Sequence, residues 1–213
     1  MINEGYVKYN ARHTFAPATE VKDWTLLNDA RRRLYRLGLV GVTKDGIGFG
    51  NVSIRYRANE FLVSGTATGA LAQLSANDYC LVSSFDIKQN CVVTTGPVQA
   101  SSEAMTHGAV YQSCSLARCV MHIHSRLIFD GMLRDKYPST PKSAEYGTPE
   151  IALAIGECIA ALVPVTEVAA KASVAIVLAG HDEGVVAFGS AVESAFNIIQ
   201  NLYNKYDGRL TGG

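Results

Sequence analysis

The sequence of 213 residues lacks an excess of charge, a long apolar run and a paired-cysteine motif. Nineteen basic side chains balance nineteen acidic ones, so no overall field attracts nucleic acid or an anionic membrane, and both partners are disfavoured. No apolar run approaches the roughly 20 residues that a membrane-spanning helix requires. The polar N-terminal segment also lacks the apolar core of an export signal, so a cytoplasmic location is expected.

The cysteine pattern excludes two further scaffolds. The five cysteines are odd in number and contain no C-x-x-C spacing, which disfavours both a disulfide framework and a cysteine zinc knuckle. Apolar residues, by contrast, are plentiful, because they make up 48% of the chain while charged residues make up 18%. This composition is more apolar than a small monomer needs and favours a homo-oligomer, in which part of the apolar surface forms subunit contacts.

The order of the predicted elements indicates one mixed α/β domain. Residues 1–22 are expected to be an N-terminal extension without periodicity that wraps the surface or a neighbouring subunit, and residues 23–213 are expected to form the domain. The basic cluster of Arg31, Arg32, Arg33 and Arg36 is interpreted as a solvated helix face.

Apolar periodicity and end signals predict helices over 23–37, 101–114, 148–162 and 190–206. Strands are predicted over 49–56, 60–65, 79–84, 91–95, 117–124, 172–180 and 184–189, and the first four have connections short enough to require antiparallel pairing.

Three histidines stand at strands or strand ends. His122 and His124 lie two apart in a strand-like run, so the two-residue period of a strand places both imidazoles on one side of the sheet. His181 follows an apolar strand directly, where side chains often face a functional mouth. Three neutral imidazoles suit Zn²⁺ and leave a position open for substrate or water. The structural alternatives are hydrogen-bonded core histidines for the pair and a turn cap for His181.

Glu103 and several small polar segments are further candidates for a site. Glu103 follows paired serines near a predicted helix N-terminus, where a carboxylate is either a cap or an acid/base group. Backbone N–H groups, hydroxyls and a helix N-terminus can also bind a phosphate, although Gly/Ser/Thr turns are ordinary hairpin connectors too. The segments with this composition are 50–53, 64–69 and 101–102.

The order of these motifs resembles the class II aldolase/adducin family. The resemblance runs from G-N-V-S through a T-G turn, S-S-E with a His and a Tyr following, H-x-H and G-T-P-E to a late strand ending in His, over roughly residues 23–205. It implies a three-layer α/β/α domain around a central, mostly antiparallel sheet, assembled as a homotetramer. It places His122, His124 and His181 at zinc-ligand positions, Glu103 at the carboxylate that trades between metal binding and proton transfer, and Asn51, Thr68, Gly69, Ser101 and Ser102 at positions used for substrate phosphate.

The function implied is a lyase of the aldolase type, dependent on Zn²⁺ or another divalent transition metal. It would act on a small sugar phosphate or ketose through a metal-stabilised enediolate, with Glu103 moving the proton next to the carbonyl. A related epimerase, dehydratase or decarboxylase is an alternative. A non-catalytic adducin-head-like assembly module is another, although the presence of Glu103 and all three histidines disfavours it.

Two stretches depart from the family pattern. The usual H-G after the late strand is replaced by His181-Asp182-Glu183-Gly184, which adds two carboxylates beside the expected metal ligands. The 22 residues between His124 and Gly147 resemble a shortened version of the segment that supplies a catalytic tyrosine in the aldolases.

Overall fold

The computed structural model describes residues 8–162 and 174–208. The helices in these ranges are α1 (Trp24–Arg36), α2 (Ala104–Ser113), α3 (Arg126–Arg134), α4 (Pro149–Leu162) and α5 (Val192–Tyr206). The strands are β1 (Asn10–Phe15), β2 (Gly41–Val42), β3 (Gly48–Phe49), β4 (Asn51–Arg57), β5 (Glu60–Ser64), β6 (Tyr79–Asp86), β7 (Cys91–Gly96), β8 (Cys119–His124), β9 (Val174–Val177) and β10 (Gly184–Gly189). Within the described ranges, no helix is both long and apolar enough to cross a membrane.

Eight of these strands form one central sheet in the order β1-β7-β6-β5-β4-β8-β10-β9. Every neighbouring pair is antiparallel except β1 with β7, and the short strands β2 and β3 pair separately. The predicted antiparallel pairing of the early strands is therefore confirmed.

Helices cover both faces of this sheet. One apolar cluster joins residues of α1, α3 and α5 to one face, and a second joins residues of α2 and α4 to the other. Along β8 the alternation is strict, because Cys119, Met121 and Ile123 belong to the first cluster while Val120 belongs to the second. His122 and His124 have the parity of Val120, so they lie on the α2 and α4 side. The expected mixed α/β domain with helices flanking a large sheet is confirmed.

The edge strand β1 and the helix α3 were not predicted from the sequence. Residues 1–20 show no periodicity, yet β1 adds a parallel edge strand to β7, where Tyr9 donates to the carbonyl oxygen of Ser101 at 3.0 Å and His13 Nδ1 lies 2.8 Å from Thr94 Oγ1. Helix α3 follows β8 immediately, and the hydroxyl of Ser125 caps it by accepting from Ile128 N at 3.3 Å. Backbone pairing forms the first of these elements, and a local cap forms the second.

The interpretation of the basic cluster on α1 as a solvated face was wrong for Arg31. This side chain is only 3% exposed and lies on the buried face of α1 with Leu27 and Leu34. Its guanidinium is buried because it donates to backbone carbonyl oxygens, among them that of Thr68 at 3.0 Å. Arg36 is exposed, as predicted.

The cap of α3 gives a test of the fold. We expect Ser125→Ala to lower the free energy of unfolding by about 1 to 2 kcal/mol, because it removes the cap and the hydroxyl that donates to Asp207 at 3.0 Å. Denaturant unfolding followed by circular dichroism measures the loss. Ser115→Ala, at an exposed serine, is the matched control, and an equal effect of the two substitutions would contradict the capping role.

Candidate active site

The three predicted metal ligands converge on one point. The Nε2 atoms of His122 and His124 lie 3.0 Å apart, those of His124 and His181 also 3.0 Å, and those of His122 and His181 3.2 Å. All three residues are buried. These side chains form a group that can hold a metal ion.

The local backbone explains how the three imidazoles meet. His122 and His124 project from the same face of β8, whereas His181 lies in the turn that joins β9 to β10. In that turn the amide of Gly184 donates to the carbonyl oxygen of His181 at 2.9 Å. A Cβ at position 184 would lie 2.5 Å from His181 Cδ2 and 3.2 Å from His122 Cε1, so a glycine is required for the two rings to approach.

The chemistry of the donors fits a divalent transition metal. His122 Nδ1 lies 3.2 Å from the carbonyl oxygen of Val185, and since a carbonyl can only accept, Nδ1 carries the proton and Nε2 presents its lone pair to the cluster. Burial, reinforced by the neighbouring imidazoles, lowers the pKa of His122 and of His181 well below the ordinary value. Burial also lowers the pKa of His124 to about 4. The cluster is therefore neutral at pH 7, the form in which histidine binds metals.

Glu103 lies beside this cluster at the start of α2. It occupies the N-cap position with φ −90° and ψ 7°, but its side chain makes no capping hydrogen bond to the first turn. The carboxylate is 3% exposed, and its Oε1 lies 3.7 Å from His181 Nε2. This geometry favours the acid/base interpretation over the helix cap.

The predicted anion-binding segments open onto the same cleft, which has a volume of about 380 Å³. Two of these segments, 64–69 and 101–102, are held close to each other by backbone pairing. Gly65 forms a β-bridge with Ala100, and the amide of Thr66 donates to the carbonyl oxygen of Gln99 at 2.9 Å. The nine residues singled out in the sequence all line this cleft: Asn51, Thr68, Gly69, Ser101, Ser102, Glu103, His122, His124 and His181.

Asn51 has a position that the strand register explains. It starts β4 directly opposite His122 of β8, and its side chain is buried. Its Oδ1 is a buried acceptor for which the described residues provide no hydrogen-bond donor. A buried amide in this condition is available to a ligand in the cleft.

Tyr146 was missed by the sequence analysis. Its ring stacks on that of His181, with centroids 4.6 Å apart and an angle of 19° between the planes, and it lines the cleft. The ammonium group of Lys8 lies 4.7 Å from the centre of the Tyr146 ring and donates to the Tyr146 carbonyl oxygen at 3.0 Å. The only local signal was its place immediately before G-T-P-E.

The histidine of α2 belongs to a hydrogen-bonded network under the site. His107 follows Glu103 by one helical turn, and its Nδ1 lies 2.6 Å from Ser53 Oγ, which is also 2.8 Å from the hydroxyl of Tyr111. Burial lowers the pKa of His107 to about 3, so it is neutral. The network ties α2 to β4 and thereby fixes the helix that carries Glu103.

The two extra carboxylates of the altered turn pair with Arg126 and are not part of the group formed by the three histidines. Asp182 and Glu183 both form salt bridges with Arg126, and their side chains are 54% and 41% exposed. The Arg126 guanidinium holds the pKa of Asp182 below its ordinary value. Glu183 supplies the turn with a residue at φ 63°, so the insertion changes the turn without adding an oxygen to the cluster.

Comparison with known proteins gives a family and a fold. The family model described as Class II Aldolase and Adducin N-terminal domain matches residues 26–204. No curated protein sequence is similar enough to count as a match.

Similar solved structures are found at low identity. The L-fuculose-1-phosphate aldolase from Thermus thermophilus is 20% identical, with 84% of this chain and 88% of that chain covered and a TM-score of 0.56. YgbL from Klebsiella pneumoniae, described as a putative aldolase/epimerase/decarboxylase, is 18% identical, with 86% and 87% covered and a TM-score of 0.59. Another L-fuculose 1-phosphate aldolase is 18% identical, with 87% and 83% covered and a TM-score of 0.60. These likenesses establish the fold.

The histidine cluster leads to a test that needs no substrate. We expect about one divalent ion per chain in the purified protein and most of that ion to be lost in His122→Ala, because two imidazoles bind a transition metal far more weakly than three. Elemental analysis after dialysis against a weak chelator measures the content. His13→Ala is the control, since His13 lies on β1 beside Thr94 and should leave the metal in place. Equal metal in wild type and His122→Ala would refute the ligand assignment.

Proposed function

Because this chain belongs to the class II aldolase and adducin N-terminal domain family, we propose that it is a divalent-metal-dependent lyase of the aldolase type that acts on a small sugar phosphate or ketose. The observation that carries the proposal is the meeting of two kinds of group in one cleft. Three neutral imidazoles face the Glu103 carboxylate at one end, and segments suited to an anion line the rest.

His122, His124 and His181 would hold the ion, Zn²⁺ or another divalent transition metal. Imidazole nitrogen suits these metals, and three protein ligands leave a position open. The bound ion supplies a Lewis acid that polarises the carbonyl of the substrate. Val185 and Gly184 serve this site indirectly, the first by orienting His122 and the second by leaving room for His181.

Glu103 is the group we assign to proton transfer. In the direction of condensation its carboxylate removes the proton from the carbon next to the carbonyl, and in the direction of cleavage it returns a proton to that carbon. Glu103 is suited to this role by its place beside His181, one of the three proposed metal ligands. Asn51, Thr68, Gly69, Ser101 and Ser102 would bind the phosphate and so fix the carbon against Glu103.

A site with a bound divalent ion and a neighbouring carboxylate can serve related reactions. The words aldolase/epimerase/decarboxylase in the description of YgbL are consistent with one fold serving several outcomes. For this chain, assays of the metal-loaded protein with ketose phosphates and hydroxy-acids separate cleavage from epimerisation, dehydration and decarboxylation. A non-catalytic assembly module is disfavoured because the three histidines and Glu103 lie in one buried arrangement.

The proton-transfer role predicts a large effect of a small substitution. We expect Glu103→Gln to lower the rate of solvent deuterium exchange into dihydroxyacetone phosphate by about 100-fold or more, because an amide cannot accept the proton. Mass spectrometry of the recovered compound measures the exchange. The metal content should be unchanged, since the three histidines remain.

Glu150→Gln is the control, because Glu150 is an exposed glutamate in the first turn of α4. It should leave the exchange rate unaltered. Exchange at the wild-type rate in a folded, metal-loaded Glu103→Gln protein would remove Glu103 from the mechanism. If the wild type itself shows no exchange, the substrate panel identifies the compound with which the comparison is repeated.

We also propose a homotetramer in the cytoplasm. The five cysteines are all free thiols, as a reducing compartment favours, and Phe15 on the edge strand β1 is 75% exposed, which suits a subunit contact. Light scattering on a sizing column should therefore report about four times the chain mass of 22.8 kDa. A monomer at micromolar concentration would contradict the assembly.

A further inference from the structure

Arg31 lies directly behind the polar wall of the cleft. We use the name anion loop for residues 65–71, of which residues 65–70 line the cleft. The guanidinium of Arg31 donates to the carbonyl oxygens of Thr68 at 3.0 Å, Gly69 at 3.4 Å and Leu71. One side chain of α1 therefore holds three carbonyl groups of the loop backbone from its inner side.

Other side chains of α1 support this contact. Asn28 donates to the carbonyl oxygen of Leu74 at 2.7 Å, and the hydroxyl of Tyr35 donates to that of Ala70 at 3.4 Å. Positions 28, 31 and 35 share one face of a helix, because residues three and four apart are neighbours. This face of α1 consequently binds the backbone of the anion loop and the residues that follow it.

The contact with Arg31 determines where the loop amides point. In a trans peptide the C=O of one residue and the N–H of the next point in opposite directions, and no cis peptide bond is found among the described residues. The carbonyl groups of Thr68 and Gly69 point at Arg31, so the N–H groups of Gly69 and Ala70 point away from it. No described residue accepts a hydrogen bond from the amides at positions 67–70. They are therefore available as donors to an anion in the cleft.

The conformation of the anion loop is fixed by close packing. A Cβ at position 69 would lie 2.1 Å from the carbonyl oxygen of Gly41 and 2.9 Å from the Cα of Gly48. The loop is therefore packed closely against the backbone of Gly41 and Gly48. The hydroxyl of Thr68 donates to the carbonyl oxygen of Gly65 at 2.8 Å and closes the turn. The orientation of the amides is thus fixed before any ligand binds.

The charge of Arg31 is not neutralised by a carboxylate in contact with it. The structure shows no salt bridge between Arg31 and a described Asp or Glu. Asp78 attracts the guanidinium only from a distance, because its carboxylate accepts hydrogen bonds from the amide and the hydroxyl of Ser75. Arginine stays protonated in proteins even where burial lowers its pKa, as it does here. The buried charge is balanced by carbonyl dipoles, by the face of the Tyr35 ring at 5.3 Å and by the distant Asp78, without a carboxylate in contact. Burying a cation in this way is costly, and an anion on the other side of the loop would reduce that cost.

We propose that Arg31 is a positioning residue for the anionic group of the substrate, which it serves by aiming the amides of the anion loop into the cleft and by placing a positive charge behind them. This inference rests on the proposed function in one respect, namely that the anion loop takes the phosphate end of the substrate. Arg31 would act through the loop backbone and not by direct contact with the substrate. This arrangement suits an anionic group of the substrate and not a neutral one.

The test uses inorganic phosphate as the probe and the metal-loaded full chain as the protein. Isothermal titration calorimetry at constant ionic strength should show phosphate binding to the wild type and an affinity lower by about tenfold or more in Arg31→Met, because both the charge and the loop geometry are lost. The salt dependence of the affinity should also be weaker in Arg31→Met, which a purely structural residue would not cause. Arg33→Met is the control, since Arg33 is on the same helix but pairs with Glu193 at the surface.

Arg31→Lys keeps the proposal testable if Arg31→Met does not fold. A lysine retains the charge but cannot reach three carbonyl groups with a fork of N–H donors, so its phosphate affinity should fall between those of the wild type and Arg31→Met, or below the wild type if it is the sole folded variant. Wild-type affinity in a folded Arg31→Met or Arg31→Lys protein would overturn the proposal, and so would the absence of phosphate binding to the wild type. Because the assay requires no turnover, these results are distinct from a failure of deuterium exchange.

Discussion

The candidate site depends first on the alternation of side chains along β8. The parity that sends Cys119, Met121 and Ile123 into the core under α1, α3 and α5 sends His122 and His124 to the opposite face, beside the start of α2. A slip of one residue would exchange the two sets, placing imidazoles in an apolar core, so the burial of the apolar set stabilises the site geometry as well as the fold. The neighbouring strands β4 and β10 then place Asn51 opposite His122 and Gly184 opposite His124.

Residues governed by local periodicity could be predicted from the sequence. The two-residue period located His122 and His124 on one face, and the boundaries of β10 agree with the apolar run at 184–189. Helix α3 carried a usable signal, because Ile128, Phe129 and Met132 follow a capping serine at helical spacing. By contrast, β1 has no apolar alternation, and its place is set by backbone pairing with a strand some 80 residues later, which no local pattern encodes.

The residues that escaped prediction share a physical cause, since each is defined by a partner distant in sequence. Arg31 is buried because carbonyl groups 37 to 40 residues away accept its hydrogen bonds, whereas composition places it in a basic surface cluster. Tyr146 belongs to the site because its ring stacks on His181 and also contacts the ammonium group of Lys8. The family resemblance supplied the expected metal-ligand and phosphate positions, but not these supporting residues. A motif contains the residues that contact a ligand and omits the residues that orient them.

The two ends of the cleft are suited to ligands of opposite charge. At one end, burial keeps three imidazoles neutral with a lone pair of His122 turned inward, which suits a cation. At the other, the carbonyl groups of Thr68 and Gly69 accept from Arg31, and the loop amides that we propose point into the cleft suit an anion. Ser101, Ser102 and Glu103 are consecutive, and Tyr9 holds the carbonyl oxygen of Ser101, so the hydroxyls and the carboxylate keep a fixed spacing. Protein contacts fix both ends of the cleft and Glu103 between them. The cleft should therefore select substrates by the number of bonds that separate the anionic group from the carbonyl.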